Sequence, residues 1–570
     1  MRSATRWTPW QRAACASLLL HGAAAAALTP GGRESTDRPS ARMPALPDFR
    51  PAPDKADQGF VLPPAPTSQT PGAAEPQGPR FRVEAFAFEG NTVFDGAELA
   101  RIAAPYAERE LSVAELEELR QRLSRHYYDH GYVNSGALIP PGALRGGTLR
   151  FKIIEGVLDE VRVEGQGRLR PGYIQNRLSG DDGEPLNIDR LRDRFQVLLT
   201  DPLIDTLRAK LLPGTAPGHS VLEVEAALAR PYQLSVFGNN YRPPSIGGEA
   251  GGIGGWVRNL TGWGDTLDFT FQMGPGTTRY TGGFALPLGD YGTQAFFRFD
   301  EAYSKVIEAP LDRLNIRSRI HTLEGGLSQT LIHAPDRKLA VGVALASRQN
   351  DISLLGDPFS YVPGQSGGST QASVTRLFLD YLERWDDQVL ALRSTFSIGV
   401  NAFGATETRN PRFPDSDFFA WLGQAQFAWR LLDDGTQLVW RGDAQLSNDP
   451  LLPLERIAVG GVGTVRGYRE NYLVTDEGFS TGLELRYPLY VGTSGMPNRL
   501  TVTPFMDYGG AWNHYGKAHY VHSVGLALNW RLGLMQADLC WGYKIIPPLV
   551  DPGNDLQDHG IQFQVKLDAF

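Results

Sequence analysis

The second half of the chain alternates apolar and polar positions with period two. Leu267, Phe269, Phe271 and Met273 alternate with Thr266, Asp268, Thr270 and Gln272. Phe479, Thr481, Leu483, Leu485 and Tyr487 alternate with Ser480, Gly482, Glu484 and Arg486. Met535, Ala537, Leu539, Trp541 and Tyr543 alternate with Gln536, Asp538, Cys540 and Gly542. Period two is the mark of strands, and each of these has one apolar face and one that carries charge. Roughly sixteen such segments, of about ten residues each, fall between residues 230 and 570. A soluble sandwich would turn the apolar face inward. The strand number, the strand length and nine of the eleven tryptophans lying after residue 255 point instead to a transmembrane barrel with aromatic girdles. An even strand number returns both ends to one side of the membrane. Long connections at 303–315, 349–371, 402–417, 450–477 and 544–559 are expected outside. Short ones, such as Leu432-Asp433-Asp434-Gly435, are expected on the inner side.

The pattern changes upstream of residue 230. Residues 80–156 read as strand, helix, helix, strand, strand. A first strand over 82–88 runs into Phe88-Glu89-Gly90-Asn91, where the Gly-Asn pair suits a turn at positive φ. Ser112 opens a helix with Glu115 three residues on, a capping box, and Leu116, Leu119, Leu123 and Tyr127 follow at helical spacing. Strands over 138–141 and 148–154 close the unit at Glu155-Gly156. A second unit, 157–229, repeats the plan with helices over 171–178 and 188–199 and two final strands. Residues 29–79 read as a linker: twelve prolines after residue 29 and almost no periodic apolar pattern predict extended chain. Residues 1–28 read as a secretory signal, with Arg2, Arg6 and Arg12 ahead of an apolar core and the small residues Ala23 to Ala27 at the cleavage site.

Composition narrows the function. The net charge is −8 with no basic stripe, which excludes nucleic acid as a partner. The mean hydropathy of −0.26 reads as soluble, but only every second residue of a barrel strand meets lipid. Beyond residue 30 no run of 18 apolar residues exists, so no transmembrane helix is expected. Signal cleavage removes Cys15 and leaves Cys540, so no internal disulfide is expected. No cofactor or metal and no catalytic residue is assigned. Gly364-Gln365-Ser366-Gly367-Gly368 matches a hydrolase elbow but lacks the strand before it and the helix after it. His126 and His130 sit one helical turn apart without a third ligand and read as a helix face.

Val465-Arg466-Gly467-Tyr468, after the glycine-rich Gly460-Gly461-Val462-Gly463-Thr464, carries the most specific signal, with Phe505-Met506-Asp507 some forty residues on. This pairing resembles the outer-membrane insertase superfamily. The Phe-x-Gly-Asn turn (Phe88, Gly90, Asn91) and the Glu155-Gly156 close resemble a polypeptide-transport-associated (POTRA) domain. The turn Asn259-Leu260-Thr261-Gly262-Trp263-Gly264-Asp265 resembles the first periplasmic turn of two-partner transporters. Together they resemble the haemolysin secretion/activation protein family, the outer-membrane transporters of two-partner secretion. The resemblance implies a sixteen-strand barrel behind two POTRA domains in the periplasm, with loop 450–477 folded into the lumen and Arg466 meeting Asp507 beside Phe505 on the wall. Strand parity puts Thr501, Thr503, Phe505 and Asp507 on the more polar, inward face. The implied partners are a secreted exoprotein client (an adhesin, a haemolysin or a toxin), outer-membrane lipid and the barrel-assembly machinery, to which the terminal Phe570 is the signal. Phe570 is out of phase with Ile561, Phe563, Val565 and Leu567. The alternatives are an outer-membrane insertase, which usually carries more POTRA units, and a passive porin or surface enzyme.

Overall fold

A computed structural model describes residues 59–61 and 79–569, apart from 166, 181–182, 364, 366, 409, 493–497 and 550–552. The expected signal segment and Phe570 lie outside the described residues, as do Gly364 and Ser366 of the hydrolase-like motif. The chain divides into two compact units between Ala229 and Arg230.

The N-terminal unit holds two α+β modules. In the first, Thr148–Ile154 is the central strand, parallel to Ala85–Glu89 and antiparallel to Gly136–Leu138. The single strand expected over 82–88 is instead two. Arg80–Val83 pairs with Arg109–Ser112, and the chain bends at Glu84, where the amides of Glu84 and Ala85 both donate to the Gly147 carbonyl at 2.7 and 3.3 Å. Ser112 and Glu115 form a reciprocal capping box on the helix Val113–Asp129, which buries Leu116, Leu119, Leu123 and Tyr127. Gly90 takes φ +86° and Asn91 closes the turn by donating to Phe94 O at 2.9 Å, while Phe88 stacks on Phe151. The turn and the close of the module meet at one carboxylate. Glu155 accepts from the amides of Thr92 and Val93 at 2.8 and 2.9 Å and from the Tyr127 hydroxyl at 2.8 Å. Burial, then that hydrogen bond, pushes the Tyr127 phenol far above its ordinary pKa. His126 and His130 are spent locally: His126 Nε2 meets Glu98 at 3.1 Å and His130 Nδ1 meets the His126 carbonyl at 2.7 Å.

The second module has helices Pro171–Leu178 and Ile188–Leu199 over Val157–Glu164, His219–Leu228 and Ile204–Pro213. Within the stretch read as linker, Phe60–Val61 is a fourth strand, parallel to Ala209 and Lys210. Two apolar residues suffice because Ala209 N donates to Gly59 O at 2.6 Å and the Phe60 ring packs 5.4 Å from Phe195. The modules are bonded to each other by backbone. Leu186 N donates to Gly156 O at 2.6 Å and Ile188 N to Gly131 O at 2.9 Å, and Asn134 Nδ2 reaches Gly218 O at 2.9 Å.

The C-terminal unit is a closed antiparallel barrel with sixteen strands among the described residues. They run Tyr232–Asn239, Ala250–Arg258, Thr266–Gly274, Thr277–Pro287, Thr293–Lys305, Arg317–His333, Arg337–Leu354, Ser369–Arg384, Gln388–Val400, Phe419–Arg430, Gln437–Ser447, Glu477–Val491, Asn498–Trp512, His519–Leu532, Met535–Lys544 and Ile561–Asp568. They are numbered 1 to 16 in that order. Strand 1 closes on strand 16 from Ser235↔Asp568 to Asn239↔Gln564. Large apolar side chains such as Phe269, Phe297, Leu345, Leu377, Leu483, Met506 and Leu539 are exposed on the outer face. Arg279, Asp300, Glu324, Arg348, Arg376, Asp380, Glu484 and Asp507 are buried inside. This inversion of a soluble core is what lipid outside and a packed lumen demand.

Two expectations need correction. Strands 6 and 7 have 17 and 18 residues rather than about ten, so the connections beside them shrink to 306–316 and 355–368. Their outer ends carry Arg317 and Arg319 on strand 6 and Asp351 on strand 7, so the ladder runs on past the apolar band and membrane thickness does not limit it. Not every tryptophan is a girdle residue. Trp429, Trp440, Trp530 and Trp541 are exposed, but Trp256 is buried and gives its indole N–H to Gln233 Oε1 at 3.1 Å.

The inner turn 259–265 is built around Asp265, which is fully buried and accepts from the amides of Leu260 and Thr261 at 3.2 and 2.9 Å. Asn259, Gly262 and Gly264 all take positive φ, and Asn259 Oδ1 accepts from Gly264 N at 3.2 Å.

Glu155→Ala removes one carboxylate from four donors at once, the Thr92 hydroxyl among them. Unsatisfied donors cost about 1–3 kcal/mol each, less where water reaches them. The variant is expected to open the first module to proteolysis at 91–94 while barrel heat-modifiability on gels stays unchanged.

Candidate functional site

The connection between strands 11 and 12, residues 448–476, turns back into the lumen. Ile457–Val459 and Leu473–Thr475 pair as a short hairpin that carries the loop's tip. Ile457, Val459, Val465, Tyr468 and Leu473 form one buried cluster with Ala511 and Val521 of the wall. Val465 therefore anchors by packing, while its neighbour does so by charge.

Arg466 is 1% exposed and uses its whole guanidinium. Nε lies 2.7 Å from Asp507 Oδ2 and Nη2 lies 2.8 Å from Oδ1, a two-pronged pair on strand 13. The Arg466 backbone amide also donates to Asp507 Oδ2, at 3.1 Å. Nη1 reaches Glu484 Oε1 on strand 12 at 2.8 Å. The guanidinium carbon lies 3.7 Å from the Phe505 ring centre, which covers one of the two faces that carry no hydrogen-bond donor.

The carboxylates are shared. Arg441 on strand 11 reaches Asp507 Oδ2 at 3.2 Å and holds the loop backbone by donating to Gly463 O at 2.6 Å and Thr464 O at 3.0 Å. Arg486 reaches Glu484 Oε2 at 2.8 Å. Three arginines thus surround two carboxylates. Glu484 and Arg441 were not singled out in the sequence, although Glu484 stands on the polar face of its strand. What it meets depends on barrel closure and loop direction, which alternation does not carry.

The rest of the tip is fitted just as closely. Gly467 has φ +90°, and a Cβ there would stand 2.7 Å from the carbonyl oxygen of Gly542. Gly542, on strand 15, has the reciprocal constraint: its Cβ would stand 2.7 Å from the Gly467 Cα. Two backbones touch here, so both positions need glycine. The Tyr468 hydroxyl lies 2.6 Å from Ile546 O and accepts from His522 N at 3.2 Å. Arg469 bridges Glu308 and Asp558 in two other outer loops at 2.8 and 2.6 Å. The arrangement holds a loop in place.

The model of the haemolysin secretion/activation protein family ShlB/FhaC/HecB matches residues 218–532, and the ShlB-type POTRA domain matches residues 81–156. The outer membrane transporter CdiB of Escherichia coli is 25% identical over 517 residues, 88% of this chain and 83% of the relative. The hemolysin transporter protein ShlB of Serratia marcescens is 22% identical over 481 residues, 80% of this chain and 81% of the relative. The solved structure of CdiB from Escherichia coli matches with a TM-score of 0.68 at 22% identity, covering 90% of this chain and 95% of that one.

The charge count predicts an asymmetry. Arg466→Ala leaves two arginines against two carboxylates. Asp507→Ala leaves three arginines against one. Breaking a buried pair costs roughly 3–5 kcal/mol when one charge is stranded. Asp507→Ala is expected to lower the barrel's gel-shift temperature more than Arg466→Ala, and the double variant is expected to be no worse than Asp507→Ala alone. Arg466→Lys is expected to fall near Arg466→Ala, since one ammonium cannot serve Asp507 and Glu484 in the same geometry. Gel-shift temperature and trypsin cleavage within 448–476 measure all four.

Proposed function

The chain belongs to the haemolysin secretion/activation protein family, and from that premise we propose how it takes up and exports a partner polypeptide. It is an outer-membrane transporter of two-partner secretion, with its POTRA domains in the periplasm. The observation that carries the reading is the lumenal loop. A barrel whose interior holds a loop on ion pairs is a closed conduit with a movable part, where a passive porin keeps a water-filled channel.

Client recognition falls to the N-terminal unit, and backbone pairing at a sheet edge suits an unfolded client because it tolerates varied sequence. Several edges of this unit are partly occupied. Ile204–Pro213 is paired with Phe60–Val61. At Gly136–Leu138, Ala137 N donates to Ser124 Oγ at 3.0 Å and its carbonyl accepts from Arg120 at 3.2 Å. At Val157–Glu164, Gln175 covers the Val161 carbonyl at 2.9 Å. Ala85–Glu89 pairs on one side, with Thr148–Ile154, and its other side is the edge we assign to the client. Phe86 and Phe88 are half-buried beside it and offer apolar contact. Export is then binding and passage without a catalytic step, and folding of the client outside gives it direction. The client is a secreted exoprotein: an adhesin, a haemolysin or a toxin.

Deleting residues 80–229 is expected to abolish export while the barrel still inserts and remains heat-modifiable. Phe86→Pro, at a position whose N–H faces away from Thr148–Ile154, removes a donor from the edge and crowds it, and is expected to cut client binding and export at unchanged barrel levels. Normal export by the deletion variant would overturn the transporter reading. Normal export by Phe86→Pro alone would move the client to another edge.

A further inference from the structure

A second set of buried charges lies away from the Arg466 site, at the stem of the same loop. Glu455 ends the short helical turn Pro453–Glu455 and is 1% exposed. Its carboxylate accepts from Arg376 Nη2 through both oxygens, at 2.8 and 2.8 Å, and from Arg348 Nη1 at 2.9 Å. Arg348 also donates to the Leu454 carbonyl. Arg376 in turn reaches Glu324 Oε2 at 3.5 Å. The four side chains are 0–1% exposed and balance as two cations and two anions. Apolar packing runs the same way: Leu451 and Leu452 are buried with Val362, Ala372, Val374, Phe418 and Ala420.

The topology gives this cluster its meaning. Glu324, Arg348 and Arg376 stand on strands 6, 7 and 8, whereas the loop is rooted in strands 11 and 12 and its tip is held by Asp507 on strand 13. The tip latch therefore joins the loop to the wall beside its own roots and does not by itself draw it across the lumen. From Glu455 to Arg466 the chain passes from side chains of strands 7 and 8 to strand 13, which is five to six of sixteen strands around the barrel. That run is a chord across the interior.

We propose that Glu455, clamped by Arg348 and Arg376, is a second latch that stretches the loop across the lumen, and that it opens when the client passes. This rests on the transporter reading and adds a division of labour: the Arg466 site fixes the tip, and the Glu455 site closes the channel. Gln445, on strand 11, bonds the carbonyls of Glu455 and Asp476 at 3.1 and 2.9 Å and ties the two ends of the loop together. The stem thus moves as one piece when the charges part.

The test is single-channel conductance of the full-length protein in planar bilayers, read beside client export in cells. Glu455→Gln keeps shape and removes the charge that both arginines share. It is expected to raise open probability on the order of a hundredfold, the change that about 3 kcal/mol of lost pairing produces. Arg466→Ala is expected to have a much smaller effect on conductance. Should Glu455→Gln fail to assemble, the doubly neutral Arg376→Gln/Glu324→Gln variant halves the latch without stranding charge and is expected to raise open probability in the same direction. Wild-type conductance in whichever of these variants assembles overturns the latch. A raised conductance in a protein whose wild type exports no client supports the latch and sinks the transporter reading.

Discussion

The structure depends on how an arginine is housed where water is scarce. A guanidinium has five donors in one plane between two flat faces, and it is stable inside a barrel only when nearly all its donors are matched. Arg466 meets that condition with Asp507, Glu484 and Phe505. Each partner comes from the wall and the arginine comes from the loop. The wall alone already sets Arg441 and Arg486 against Asp507 and Glu484, and these carboxylates have oxygens left to accept from a third guanidinium. The loop alone would keep a cation it cannot hydrate, so Arg466 draws the loop inward.

The same demand explains the glycines that sequence alone leaves unexplained. Arg466 reaches Asp507 with its side chain and its backbone amide together, which brings the loop's main chain against strand 15. Contact at that distance excludes a Cβ on either side, hence Gly467 opposite Gly542. Tyr468 then ends between strand 14 and the loop that follows strand 15, with its hydroxyl on two backbone groups. The motif is one packed object in which each residue type answers a different local need.

Much of this was legible in the sequence because the signals are local. Alternation set the inward face of strand 13, and the inward side chains of Thr503, Phe505 and Asp507 are buried. The helices Pro171–Leu178 and Ile188–Leu199 fall where their periodicity placed them, and Ser112 with Glu115 forms the expected capping box. What was not legible is non-local. Arg441 and Glu484 acquire their roles only when strands 11, 12 and 13 are in register. Phe60 and Val61 look like two stray apolar residues in a proline-rich stretch until the sheet edge at Ala209 exists to receive them. The bend at Glu84 is set by the Gly147 carbonyl, sixty residues away in sequence. Strands 6 and 7 outran the expected length because the ladder continues beyond the membrane, where alternation no longer has to separate lipid from lumen.

The choice of charge for these contacts, where the barrel had apolar packing available, follows from what a transporter's interior must tolerate. Buried ion pairs add little net stability, because desolvation offsets most of the attraction. That near balance is an advantage for a part that moves. While the lumen is packed, the carboxylates and guanidinia satisfy each other. In the proposed opening, where water enters with a polypeptide, each group regains its hydration and neither state is strongly penalised. An apolar latch of the same area would hold the loop in place firmly and would also expose a greasy wall to an unfolded client, inviting it to stick. Charged groups set among the apolar wall residues give a passing chain less apolar surface to hold, and the loop can return to a site whose geometry selects one arrangement of its arginine.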